Sequence, residues 1–136
     1  GVAAELAAQE MEQRRTVWSE LSLHAMERIR SEVPGARINS PEHDRIQNTV
    51  SVTFDGVEGE AVLLGLDLEG IAVATGSACS SGAAEPSHVL RALGLSREQA
   101  ESSIRISLHA RNTREEIDRA MDSLARVVKK LRALSV

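Results

Sequence analysis

Apolar side chains recur at helical spacing near the start of the chain. Ala7, Met11, Trp18, Leu21, Ala25 and Ile29 fall three, four and seven residues apart and form one stripe. The pattern predicts a helix over 2–33, which Pro34-Gly35 ends. At ~1.5 Å per residue it would be ~48 Å long, so its first part is expected to pack on something outside this chain. Residues 48–54 switch to strict alternation. Val50, Val52 and Phe54 point one way and Thr49, Ser51 and Thr53 the other, as in a half-buried strand. Asp55-Gly56 is a turn signal, and 58–68 reads as a second helix with Ala61, Leu64 and Leu68 on its apolar face. The segment 71–75, IAVAT, reads as a short strand. Pro86 suits the first turn of a short helix that Gly94 would stop, and Ser96 and Gln99 form a capping box for another. Alternation returns over 102–108: Ile104, Ile106 and Leu108 share one face, Ser103, Arg105 and Ser107 the other. Thr113 and Glu116 cap a last helix with Ile117, Met121, Leu124, Val128 and Leu131 on its apolar stripe. With a weak strand at 36–39, the order predicts one α+β domain over 1–136: a small mixed sheet with helices on one face.

Composition adds limits. Apolar residues are 42% of the 136, yet there is one Trp, one Phe and no Tyr, so the core must be aliphatic. The net charge of −4 argues against nucleic acid. No apolar run reaches the ~20 residues a membrane span needs, and a single cysteine excludes an internal disulfide. These features point to a cytoplasmic setting. The chain begins with Gly, not Met, and already in helical register, as though cut from something longer or left by a tag.

The one cysteine, Cys79, stands in GSACSSGAA, residues 76–84, where no side chain is larger than its own. A lone cysteine can be an inert buried hydrophobe. A segment with so little apolar area to bury should instead be exposed and mobile, leaving the thiol free to meet other molecules. No Lys, Arg or His lies within eight residues on either side of it, and the nearest, His88, reads as a helix-surface residue. Arg105, in the middle of a strand, either faces solvent or captures a carboxylate with its planar fork. His109 and Arg111 follow at a strand-to-helix junction that suits an ordinary loop or ligand contacts. Arg119, Arg126, Lys129, Lys130 and Arg132 read as a solvated face of the last helix. There is no phosphate-binding glycine fingerprint and no histidine or cysteine cluster at metal spacing.

The ordered set GSAC followed by Ser, then EPSHVLRALG, then SSIRISL, resembles the C-terminal part of cysteine desulfurases of the NifS/IscS group. These are pyridoxal-phosphate enzymes of fold type I in the class V aminotransferase family. VEGEAVLLGL at 57–66 and NTREEID at 112–118 match as well, so the resemblance covers essentially the whole chain. It implies the small C-terminal domain, with the long first helix leading in from a large cofactor-binding domain that this chain lacks.

The resemblance also implies chemistry. Sulfur is taken from L-cysteine, leaving L-alanine, and is carried as a persulfide to an iron–sulfur scaffold or another acceptor protein. Cys79 matches the persulfide nucleophile, and its thiol also offers a transient ligand to an iron–sulfur cluster. Arg105 matches the residue that holds the substrate carboxylate. Family members are homodimers. The only lysines, Lys129 and Lys130, match no cofactor-lysine motif, so pyridoxal phosphate is expected in the full-length enzyme and not on this chain alone, which should be inactive by itself. His109-Ala110-Arg111 departs from the family's usual Gly-Arg-Phe. Two other readings stay open: a stand-alone persulfide carrier or interaction domain, and the small domain of a selenocysteine lyase-like relative.

Overall fold

The computed structural model describes residues 1–76 and 87–134. Among these residues nine elements follow in order: α1 (Val2–Glu32), β1 (Ala36–Ile38), β2 (Thr49–Phe54), α2 (Gly59–Asp67), β3 (Ala74–Thr75), α3 (His88–Ala92), α4 (Arg97–Glu101), β4 (Ser103–Ser107) and α5 (Arg114–Leu134). The four strands lie in the order β1-β2-β4-β3. All three pairings are antiparallel, so the class is α+β as expected, but the sheet is antiparallel where a mixed one was predicted. The reason is connectivity. β1 and β2 form a hairpin-like pair joined by an ordinary loop, and no helix carries one strand back parallel beside another.

The two alternating segments build the core as their period dictates. Val50, Val52 and Phe54 of β2 are fully buried, and Ile104 and Ile106 of β4 and Leu108 just beyond it are nearly so. They meet Ala25, Met26 and Ile29 of α1, Val62 and Leu66 of α2, and Met121, Leu124 and Val128 of α5. The three longer helices thus cover one face of the sheet. The short α3 and α4 border the other face, a departure from helices on one face only. In α1 the predicted stripe is buried from Leu21 to Ile29 and its Trp18 packs half-buried against the core, whereas Met11 is exposed. The capping box at Ser96 and Gln99 is present, and so is that at Thr113 and Glu116, whose side chains each meet the other's backbone amide.

Two predicted elements need correction. The apolar face of α2 is Gly59, Val62 and Leu66, while Leu64 and Leu68 are exposed. The run from Val62 to Leu66 is apolar on nearly every side, so periodicity alone could not orient it. Close backbone packing at Gly59 does. A Cβ there would sit 2.6 Å from the Ser103 carbonyl oxygen and 2.9 Å from that of Glu101. Both contacts are backbone, so Gly59→Ala must displace α2 or β4. It is expected to cost about 1–3 kcal/mol, read as a lower urea midpoint at unchanged slope. The predicted strand 71–75 pairs only at Ala74 and Thr75. Ile71 instead closes α2, its amide donating to the Leu66 carbonyl, and both Ile71 and Val73 pack against the core.

A charged clamp joins α1 to α5. The Arg28 guanidinium donates to Asp118 at 2.8 Å, to Asp122 at 2.6 Å and to Glu32 on its own helix. Arg114 can only donate, so His24 Nδ1 accepts from it and Nε2 donates to Asp118 at 2.6 Å. The His24 hydrogen bond, then those from Arg28, hold the Asp118 carboxyl below the usual carboxylate range, against an opposing effect of desolvation. A carboxylate whose pKa is lower folded than unfolded stabilises the fold above its unfolded value, about 3.9, and that contribution fades as pH falls through the folded value. Melting temperature should therefore fall as pH drops below about 4, and Asp118→Asn should make that acid limb shallower.

Candidate functional site: a cleft around Arg105

Arg105 occupies the middle of β4, which lies between β2 and β3, and pairs with Ser51 on one side and Ala74 on the other. Its neighbours Ile104 and Ile106 point into the core, so strand alternation sends Arg105 to the opposite face, where it is exposed. Among the described residues no carboxylate pairs with it.

The floor beside it is a hydroxyl network. Thr53 Oγ1 and Ser103 Oγ, both 1% exposed, lie 2.6 Å apart. Ser103 donates to the Gln99 carbonyl at 2.6 Å. The Asn39 amide nitrogen donates to Ser51 Oγ at 3.2 Å and Thr53 Oγ1 at 2.9 Å. The Ser51 amide donates to Ser40 Oγ at 2.9 Å. Ser103, though on the polar side of the strand, is a buried pin between β2, β4 and α4, and only Arg105 and Ser107 of that side are open to solvent. A floor of satisfied neutral hydroxyls leaves the guanidinium as the group that attracts an anion.

Two walls rise from this floor and enclose a cleft of about 320 Å³. One is the loop after β1, contributing Pro41, Arg45 and Ile46; the other is α3, contributing Val89, Leu90 and Leu93. A carboxylate on Arg105 would thus sit on a polar floor between largely aliphatic sides. Asn39, Ser40 and Arg45 were missed by sequence reasoning. They lie in an irregular loop with no period, and only the Asn, Ser and Pro of NSPEHDR hinted at a structured turn.

The other candidate residues fall elsewhere. Cys79 and Pro86 lie outside the described residues. The residues that flank that segment, Gly76 and Ser87, both line the Arg105 cleft. His88 is exposed at the start of α3 and does not line the cleft. His109 and Arg111 line a separate groove of about 580 Å³ against Glu10, Gln13 and Arg14 of α1. There His109 Nδ1 accepts from the Arg111 amide at 3.2 Å, and Asn112 caps the His109 amide at 2.7 Å. The arrangement holds the turn into α5. Of the cations on α5, Arg119, Arg126, Lys129 and Lys130 are exposed, as a solvated face requires; Arg126 also pairs with Glu69 at 2.6 Å, and the half-buried Arg132 binds the Pro34 and Asp55 carbonyls.

Pyridoxal phosphate requires an amine to hold its aldehyde and an acid at its pyridine nitrogen. The cleft offers guanidinium groups, hydroxyls and aliphatic side chains. Lys129 and Lys130 stand exposed on α5, which covers the other face of the sheet. The described residues alone do not fit the cofactor. Nor, among them, do three His, Cys, Asp or Glu side chains gather as a metal site, and no helix is long and apolar enough to cross a membrane.

Comparison with known proteins gives concordant results. The family model described as aminotransferase class-V matches residues 1–120. The chain is 41% identical over 135 residues to a cysteine desulfurase IscS of Dictyoglomus turgidum, covering 99% of this chain and 34% of that protein. It is 42% identical over 135 residues to the cysteine desulfurase NifS of Azotobacter vinelandii, with the same coverage of 99% and 34%. The fold superposes on a solved NifS-like protein from Rickettsia africae with a TM-score of 0.81 at 28% identity, over 95% of this chain and 33% of that one. A second NifS-like structure gives 0.80 at 29% identity, over 93% and 31%. The chain spans about a third of the length of the relatives it matches.

Proposed function

The chain belongs to the class-V aminotransferase family, and we propose on that premise that it is the small C-terminal domain of a cysteine desulfurase. The carrying observation is Arg105, exposed in mid-strand on a pinned hydroxyl floor and, among the described residues, without a carboxylate partner. Its fork matches the two oxygens of an amino-acid carboxylate. Because it stands on a strand bonded on both sides, it holds that carboxylate at a fixed point. The sulfur of L-cysteine then passes to Cys79 as a persulfide, leaving L-alanine, and on to an iron–sulfur scaffold or another acceptor protein. Gly76 and Ser87, the described residues on either side of Cys79 in the sequence, line the same cleft as Arg105, which supports this reading.

Held by residues outside this chain, pyridoxal phosphate would supply an electron sink. The residues for it are assigned to the rest of the enzyme, a homodimer of the cytoplasm, so this chain by itself is inactive. Mass spectrometry tests the assignment. After the pyridoxal-phosphate-loaded protein carrying this chain meets L-cysteine, the Cys79 peptide should gain about 32 Da, one sulfur atom, reversed by a thiol reductant. A Cys79 peptide of unchanged mass under turnover, with sulfide still released, would sink the reading.

A further inference from the structure

We propose that Arg45 is a positioning residue for carboxylate binding: a strut that fixes the loop wall of the Arg105 cleft against helix α1. The proposal rests on the reading of Arg105 as the carboxylate anchor. Arg45 and Arg105 line the same cleft, but their surroundings differ. Arg105 is free of described carboxylates, whereas the Arg45 guanidinium is turned inward. Its Nη1 faces the carbonyl oxygens of Ile46 at 3.3 Å, Gln47 at 3.2 Å and Thr49 at 3.2 Å. Its Nη2 donates to Ser22 Oγ of α1 at 2.7 Å. Ser22 is fully buried and donates in turn to the Ser19 carbonyl at 3.2 Å. One side chain therefore gathers three carbonyls of the wall and ties them to a buried point on the helix across the sheet end.

Among the described residues few other contacts shape this wall, and at its second end they are the Thr49 amide on the Ile46 carbonyl at 3.4 Å and the Leu108 amide on the Asn48 carbonyl at 2.8 Å. Its base is held where the Asn39 amide donates to the Ser51 carbonyl and the Ser51 amide meets Ser40 Oγ. Its outer part has an exposed Glu42–Arg30 pair at 2.8 Å, of a kind that contributes little. Ile46 is 73% exposed, so apolar burial does not hold the wall either. Ile46 and Thr49 line the cleft together with Ser51, the cross-strand partner of Arg105. With the wall in place, a carboxylate on Arg105 is screened from water on that side, which strengthens the pair. Without Arg45, the Gln47 and Thr49 carbonyls and the buried Ser22 hydroxyl lose the donor it supplies, the Ile46 carbonyl keeps only the 3.4 Å bond from the Thr49 amide, and the wall is free to move away. The carboxylate is held alike before and during reaction, so the loss falls on binding and not on the chemical step.

The test uses the pyridoxal-phosphate-loaded protein that carries this chain, with Arg45→Met, Arg45→Lys, Ser22→Ala and Arg105→Ala compared in L-cysteine turnover. Arg45→Met should raise KM for L-cysteine about tenfold with kcat within about twofold of the parent. Lysine keeps one charge but no fork and should recover only part of the loss. Ser22→Ala removes one contact and should raise KM about threefold; it decides the matter if Arg45→Met does not fold. An unchanged KM in Arg45→Met or, failing that variant, in Ser22→Ala overturns the proposal, as does a fall in kcat at constant KM. If Arg105→Ala impairs turnover while the Arg45 variants do not, only the strut is wrong. If Arg105→Ala is also without effect, the carboxylate reading itself fails.

Discussion

Replacing Arg105 by alanine should lower kcat/KM for L-cysteine by about 100- to 1000-fold in the cofactor-loaded protein, the loss expected when a charge-assisted, two-point hydrogen bond to a carboxylate disappears. The floor makes this side chain hard to replace. Asn39, Ser51, Thr53 and Ser103 are neutral and mostly bonded to one another, and Arg45 is occupied with the wall. Arg105→Lys keeps the charge but places it as a point, so it should recover at best about a tenth of the parental efficiency. Because Arg105 is exposed, neither change should disturb the fold, and the melting temperature serves as the control. Steady-state alanine formation measures the effect. A loss smaller than about threefold would remove the carboxylate anchor from this site.

The second large effect concerns Cys79. Cys79→Ser in the same protein should reduce sulfide release with reductant by at least about a thousandfold, because a serine hydroxyl is not ionised near neutral pH and attacks sulfur poorly. Cofactor absorbance should stay as in the parent, and so should the change produced by adding L-cysteine. That combination separates failure of sulfur transfer from failure of binding. If Cys79→Ser still releases sulfide at the parental rate, the persulfide is formed elsewhere or not at all.

The parts of the fold most legible in the sequence are those where burial has a period. Val50, Val52 and Phe54, and Ile104, Ile106 and Leu108, are inside because alternate positions of a strand must share a face. The stripe of α5 and both capping boxes were readable for similar reasons. Where the apolar run is continuous, as in α2, period carries no direction, and contacts at Gly59 decided the face. Arg105 was legible as an outward residue in a strand. The hydroxyl floor beneath it was not, because Ser103 and Thr53 look like ordinary exposed positions until α4 and β1 cover them. Arg45 was the least legible. An arginine in a polar loop reads as solvated, and only the folded chain brings three carbonyls and a buried serine of a distant helix around it.

The outer strands of the sheet are short, three residues in β1 and two in β3. A strand of that length offers few unpaired amides and carbonyls to a passing chain. The sheet is thereby guarded against edge-to-edge joining, the route by which antiparallel sheets seed aggregates, although Arg105 and Ser107 on one of its faces are exposed. Self-association of this protein is accordingly expected to run through helical or loop surfaces and not through a continued sheet.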